Sequence, residues 1–369
     1  MTTPRWSCQI EKDDISNIHV EDSLNETLLA QGEIEVAVKR YALTANNITY
    51  ATLGKSFGSW TDMPGYWAFF PCADDSYGQL PIWGFAEVVR SNHDDFSQGE
   101  EFYGYFPMAS HLVMTPGKIS SESFHDFTEH RTKLAPVYNQ YTRVTAASGI
   151  KAEEKDLWPV FRPLLVTGYM ICDQFHEADY YGANQIVIAS ASSKTAMMTA
   201  RCFDQFGKKP KLIGLTSQGN KQFVEQSGLY DQVLTYDDVA KLDNKMSTAL
   251  IDMAGNGAVI DALHNHFTAN LKYSCLVGLS HWDSAKPSRD LPGAKIIPFF
   301  APGRIKQRST DWGSAELQTR LGAAWESFID IAPTLTSIKV SEGAKAAMAA
   351  YRDLVKGSVD PSQSLIISH

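Results

Sequence analysis

The sequence predicts an α/β protein in two parts. Three observations carry this. A chain of 369 residues is long for one core and comfortable for two. The first half holds many short strand patterns separated by Gly, Pro and Asp. The second half, from about Asp156, alternates apolar strand runs with helical patterns.

Gly32 to Lys39 places apolar Ile34, Val36 and Val38 between polar Glu33, Glu35 and Lys39, a period of two that predicts a strand with one buried face. Trp83–Arg90, Phe102–Phe106 and His111–Met114 read as further strands, the last closed by Pro116-Gly117. Many short strands with turns between them predict a barrel or sandwich. Leu164 to Phe175 has helical spacing. Gln185–Ala189 is a short continuous apolar run, as expected of a strand buried on both faces. A helix is expected over Lys194–Phe206, stopped by Gly207, then a strand at Lys211–Leu215 and a helix at Lys221–Ser227. Strands at Gln232–Thr235 and Thr248–Asp252, a helix at Val259–Phe267 and a strand at Tyr273–Gly278 continue the alternation. This is the pattern of a Rossmann-type doubly wound parallel sheet. Helices at Asp311–Asp330 and Glu342–Leu354 and a strand at Leu365–Ile367 complete the chain.

The composition narrows the partners. At 44% hydrophobic and 20% charged the chain is globular. A net charge of -9 argues against nucleic acid or an anionic membrane surface. No apolar run reaches the roughly 18 residues that span a bilayer, and Met1–Asp13 lacks the apolar core of a secretory signal, so a cytoplasmic protein is expected. The five cysteines, Cys8, Cys72, Cys172, Cys202 and Cys275, are scattered without CxxC spacing. They predict buried thiols, with neither a disulfide framework nor a bound metal.

In an open parallel sheet the ligand sits at the carboxyl ends of the strands. The first strand runs into Ser190-Ala-Ser-Ser-Lys-Thr-Ala196. A pyrophosphate sits on such a helix N-terminus, held by backbone N–H groups and the helix dipole. Where a G-x-x-G-x-x-G loop carries glycine, this chain has Ser190, Ser193 and Ala196, all small. Ser190, Ser192, Ser193 and Thr195 offer hydroxyls to phosphate oxygens, and Lys194 a charge. The same residues also suit an ordinary strand-turn-helix with a serine N-cap. After the second strand no acidic residue stands ready for a ribose 2′-hydroxyl. Thr216, Ser217 and Lys221 suit a 2′-phosphate instead, although Lys221 also fits a solvated loop.

Several segments resemble the medium-chain dehydrogenase/reductase superfamily, and within it the zinc-free quinone and enoyl reductases. They are Gly32–Lys39 with Tyr41–Gly54, Phe102–Pro107, Leu164–Tyr169, Thr248–Asn256, Tyr351–Gly357 and Leu365–Ser368. Ala45–Tyr50, Ser192–Thr195 and Phe299–Lys306 are most similar to an uncharacterised offshoot, the DUF2855 type. The resemblance implies a GroES-like β-barrel catalytic domain from residues 1–155 and 305–369 and a Rossmann nucleotide-binding domain from 156–304. It also implies NADPH as cofactor and a homodimer joined through the Rossmann sheets. The superfamily's zinc pattern is missing: Trp83-Gly-Phe-Ala-Glu87 stands where Gly-His-Glu would be.

On this reading Asn46, Asn47 and Tyr50 face the nicotinamide as catalytic groups. Alternatively the asparagines cap a helix at Ile48 and Tyr50 is packed. Tyr66, Trp67 and Phe70, with Phe69, and Tyr138, with Tyr141, line a substrate pocket or pack a core. Gly255 and Asn256 touch the ribose and Gly278 the nicotinamide, with His281 beside it. Arg304, Lys306 and Arg308 bind an acidic group or lie on a solvated loop. The expected function is a zinc-independent, NADPH-dependent reductase of an enone, enoyl or quinone-like substrate. The alternatives are a non-catalytic relative acting as a scaffold or ligand-binding protein with weakened cofactor binding, and a lyase or isomerase on the same fold.

Overall fold

The computed structural model describes residues 5–22, 24–58 and 61–369. Two compact units form, residues 1–160 with 338–369, and residues 161–337.

In the first unit, a small antiparallel sheet has the order β2 (Ile18–Asp22), β1 (Trp6–Glu11), β4 (Tyr77–Gln79). The main sheet centres on two long neighbours, β3 (Ile34–Leu43) and β5 (Pro81–Ser91). It continues through β6 (Glu101–Pro107), β10 (Gln140–Arg143), β9 (Ser123–Asp126) and β8 (Pro116–Gly117). On the other side of β3, β7 (His111–Met114) pairs with its first half and β18 (Gln363–Ser368) with its second, followed by β17 (Ser337–Glu342). This is the GroES-like barrel. Helices α1 (Ala45–Thr52) and α9 (Gly343–Val355) belong to the unit.

The period-two reading of β3 needs one correction: its second face is also buried. Glu35 is 1% exposed. Arg5 donates to both its carboxylate oxygens, at 2.6 and 2.8 Å, and Arg90 Nε to one at 2.7 Å. Burial works to raise its pKa, but the two arginines hold the carboxyl below its ordinary value.

The second unit is a parallel sheet in the order β13 (Gln232–Thr235), β12 (Lys211–Thr216), β11 (Gln185–Ala189), β14 (Thr248–Asp252), β15 (Leu271–Leu276), β16 (Ile296–Pro298). Taken in chain order this is 3-2-1-4-5-6, the doubly wound Rossmann arrangement. The direction of winding reverses between β11 and β14, so the switch point lies between them. There Ala189 stands beside Asp252. Helices α2 (Leu157–Glu177), α3 (Lys194–Cys202), α4 (Lys221–Gln226) and α5 (Gly257–Phe267) connect or precede these strands. Gly168 lets α2 approach α3: a Cβ there would lie 2.8 Å from the Thr199 amide nitrogen. Among the described residues no helix is long and apolar enough to cross a membrane.

Residues 305–337, expected with the first domain, pack into the second unit. They form α6 (Ala301–Trp312), α7 (Ser314–Ile329) and α8 (Ala332–Leu335). Arg304 and Arg308 on α6 both reach Asp173 of α2, at 2.6 and 2.7 Å, and Arg304 also holds Glu177 at 2.6 Å. Phe328 of α7 packs on Phe161. The ion pairs and the apolar contact tie this segment to α2. The basic cluster is therefore not a ligand loop. It is a buried ion network, with Lys306 alone facing solvent.

Four consecutive residues before β11 have left-handed backbone: Asp179, Tyr180, Tyr181 and Gly182, with φ of 46°, 52°, 57° and 67°. Tyr181 stacks face to face on Tyr273 of β15, ring centroids 3.7 Å apart. Gln174 donates to both phenol oxygens at 3.0 Å.

Candidate functional site

At the switch point the chain leaves β11 through Ser190, the next left-handed residue, with φ of 58°. This is the backbone a glycine adopts freely and an L-residue only at a cost. The loop keeps the conformation although its glycine has gone. Its other serine hydroxyls are engaged. Ser193 caps α3 by accepting the Ala196 N–H at 3.2 Å. Ser192 Oγ lies 3.4 Å from Thr216 Oγ1 and accepts from Asn220 Nδ2 at 3.1 Å. These contacts lock the loop to the end of β12. Tyr230 donates to the Ala191 carbonyl at 3.0 Å from the same side. Ala196, at the third glycine place, is fully buried. Lys194 and Thr195 open the helix and are half-buried. A first turn of backbone N–H groups, less the one that Ser193 takes, suits an anion.

Beyond β12, Thr216 is buried, Ser217 and Lys221 are half-buried, and no acid stands between Thr216 and Val224. Lys221 sits 3.8 Å from Glu225, a loose pair one helical turn on. On the other side of the switch point, Asp252 ends β14 and accepts from the Ala254 and Gly255 amides at 3.2 and 2.5 Å. Burial pushes its carboxyl up to about 6, against these two hydrogen bonds. Gly255 has φ of 75° and lies so close to the next loop that a Cβ would be 3.1 Å from the Gly278 carbonyl. Asn256 caps α5 through the Ala258 and Val259 amides, and its Nδ2 meets His281 Nδ1 at 3.2 Å. The structure thus brings Ser190–Thr195, Thr216, Gly255, Asn256 and Gly278 to the carboxyl ends of the central strands.

In the first unit, Asn46, Asn47 and Tyr50 lie on helix α1. Asn47 holds its start, accepting the Thr44 N–H at 2.7 Å, and donates to the Pro81 carbonyl at 3.0 Å. Both ends of that buried carboxamide are occupied, the arrangement of a capping residue. Asn46, four residues before Tyr50, shares its helix face and hydrogen-bonds it. The Trp83 indole N–H donates to the Tyr50 hydroxyl at 3.3 Å. Burial pushes the Tyr50 phenol up to about 12, while bonds from Trp83 and Asn46 oppose it. At neutral pH Tyr50 is therefore a proton holder.

Tyr50 heads a buried aromatic cluster. Its ring lies 4.4 Å from that of Tyr66, whose hydroxyl meets that of Tyr138 at 3.3 Å. Trp67 and Phe70 have other tasks. Trp67 fills the space beside Gly54 and Gly78, where a Cβ would come within 2.1 and 2.5 Å of its ring. Phe70 lies under the Arg131 guanidinium at 4.8 Å. That buried arginine donates to Asp126, the Tyr141 hydroxyl and the Tyr138 carbonyl at 2.7–2.8 Å, so Tyr141 is a structural partner. Sequence reasoning missed Tyr236, Asp252 and Trp83. An acid closing an apolar strand run, and a tyrosine directly after the third strand, were the available signals. Among the described residues no group of three or more His, Cys, Asp or Glu is arranged to hold a metal ion.

A family model described as "Protein of unknown function (DUF2855)" matches residues 41–360. A search of curated proteins finds no match. Among solved structures, CurA from Vibrio vulnificus in complex with NADPH is 13% identical, with 98% of each chain covered and a TM-score of 0.64. A mutant form of enoyl thioester reductase from Candida tropicalis is 12% identical over 100% of each chain, TM-score 0.56. The yhdH oxidoreductase from Salmonella enterica in complex with NADP is 12% identical over 99% of each chain, TM-score 0.52. At these identities the likeness is one of fold.

Proposed function

We propose, from the premise that the chain belongs to the DUF2855 family, that it is a zinc-independent oxidoreductase using NADPH to reduce an enone, enoyl or quinone-like substrate. One observation carries the reading. Ser190 holds the left-handed turn of a dinucleotide loop at the switch point of a 3-2-1-4-5-6 sheet. The residues present fit the cofactor. The loop has the backbone for close approach, α3 offers its first-turn amides, and no acid after β12 repels a 2′-phosphate. The complexes of similarly folded proteins with NADPH and with NADP support the same choice.

When bound, NADPH supplies a hydride. The chain's own residues do the rest. Ser190 to Thr195 and the α3 amides hold the pyrophosphate, with Lys194 adding charge. Thr216, Ser217 and Lys221 select the 2′-phosphate. Gly255, Asn256 and Gly278 border the ribose and nicotinamide. Tyr50 holds the proton that an acceptor oxygen or carbon takes up, and Asn46 orients it. Tyr66 and Tyr138 make an apolar wall behind it. Trp83 stands where the superfamily's zinc-binding histidine segment would be, which supports a metal-free reaction. A homodimer through the outer edge of β16, where Ile297 is 42% exposed, fits this reading and is checked by sedimentation.

Loss of NADPH absorbance with a panel of α,β-unsaturated ketones and quinones tests the function. Wild type turns over, and Tyr50→Phe lowers kcat by roughly 10²-fold or more with little change in NADPH affinity. No oxidation of NADPH with any acceptor sinks the reading. The second reading, a non-catalytic ligand-binding relative, draws on one fact: the hydroxyls of Ser192 and Ser193 are already engaged within the protein.

A further inference from the structure

The cost of a left-handed serine is the unexplained feature of the loop. A glycine at position 190 would adopt φ of 58° without a penalty. A side chain there must therefore be held, or give something back. Ser190 Oγ lies 3.3 Å from the Tyr236 hydroxyl, and the Ser190 backbone hydrogen-bonds the same phenol. Tyr236 follows β13, two strands away from β11 in the sheet. Its backbone is pinned from several sides. Thr235 donates through Oγ1 to Asp238 at 3.0 Å, and Asp238 pairs with Lys241 at 2.7 Å. Tyr236 packs against the apolar core of the sheet that includes Leu215 and Leu234. Burial raises the Tyr236 pKa, so the phenol keeps its proton. A pinned phenol therefore reaches across the sheet to the loop serine that neither caps α3 nor binds the end of β12.

We propose that Tyr236 is a positioning residue of the nucleotide loop. Through the Ser190 hydroxyl it holds the left-handed turn that glycine would supply unaided. With Tyr236 donating, the Ser190 proton remains available for a phosphate oxygen. The ligand half of this inference rests on the proposed NADPH site. The loop half does not.

A double-mutant cycle separates them, using Ser190→Gly, Tyr236→Phe and both together in the full chain. The readouts are NADPH affinity and the melting temperature without ligand. Tyr236→Phe is expected to weaken NADPH binding about tenfold and lower the melting temperature when serine is present. In the glycine background the same change is expected to alter affinity less than about twofold and leave the melting temperature in place. Equal effects in both backgrounds mean that Tyr236 acts directly on the ligand or on the core, and overturn the inference. No effect of Tyr236→Phe in the serine background overturns it too. If wild type binds no NADPH, the proposed function fails, while the ligand-free melting temperatures still decide whether the pair holds the loop.

Discussion

The two ends of β11 both carry left-handed backbone, and they are held in different ways. Upstream, four residues from Asp179 to Gly182 turn left-handed together. A non-glycine residue in that conformation costs about 1–2 kcal/mol. The cost is met by many contacts. Tyr181 stacks on Tyr273, Gln174 binds both hydroxyls, and Tyr180 donates to the Lys208 carbonyl at 3.1 Å. Downstream, Ser190 stands alone, and its side chain meets one hydroxyl. The upstream strain is locked by packing and belongs to the fold. The downstream strain lies at the switch point and can respond to what binds there.

The largest expected effect comes from Asp252, the neighbour of Ala189 at the downstream end. Its carboxyl is raised from 3.8 to about 6, so the folded chain binds that proton more tightly than the unfolded chain. Stability from this group is therefore full below about pH 4 and falls by about 3 kcal/mol as pH rises through 6, then levels. Asp252→Asn keeps an acceptor for the Ala254 and Gly255 amides and removes the slope. Urea unfolding at about pH 4 and pH 7 should show the variant gaining on wild type by that amount. Parallel curves would place the carboxylate in a far more polar setting.

A smaller effect tests the upstream end. Tyr181→Ala removes the stack and should cost about 2 kcal/mol of unfolding free energy while leaving NADPH affinity unchanged. Loss of affinity along with stability would mean that the two ends are coupled, and the comparison would fail. The smallest effect concerns cofactor choice. Lys221→Ala should weaken NADPH by about 1 kcal/mol in a binding titration and leave NADH untouched, since only the 2′-phosphate differs.

The strand and helix order of the second unit was legible because continuous apolar runs and helical spacing repeat with short connections. Lys194–Cys202, Thr248–Asp252 and Gly257–Phe267 lie where periodicity puts them. The role of Arg304 and Arg308 was not legible, because in sequence they read equally as a ligand site or a solvated loop. Only the fold shows Asp173 and Glu177 waiting on α2. Glu35 was hidden in the same way, since alternation cannot reveal that Arg5 and Arg90 cover the second face. In the candidate site, small residues at Ser190, Ser193 and Ala196 signalled the loop. The left-handed turn and its contact with Tyr236 left no local pattern, because neither a φ angle nor a contact between residues 46 positions apart shows in sequence.

Calorimetric titration of the wild-type chain with NADPH and, separately, NADH tests the central claim most directly. One saturable NADPH site per chain is expected, with weaker binding of NADH. Absence of heat and of any melting-temperature shift at saturating NADPH would contradict it.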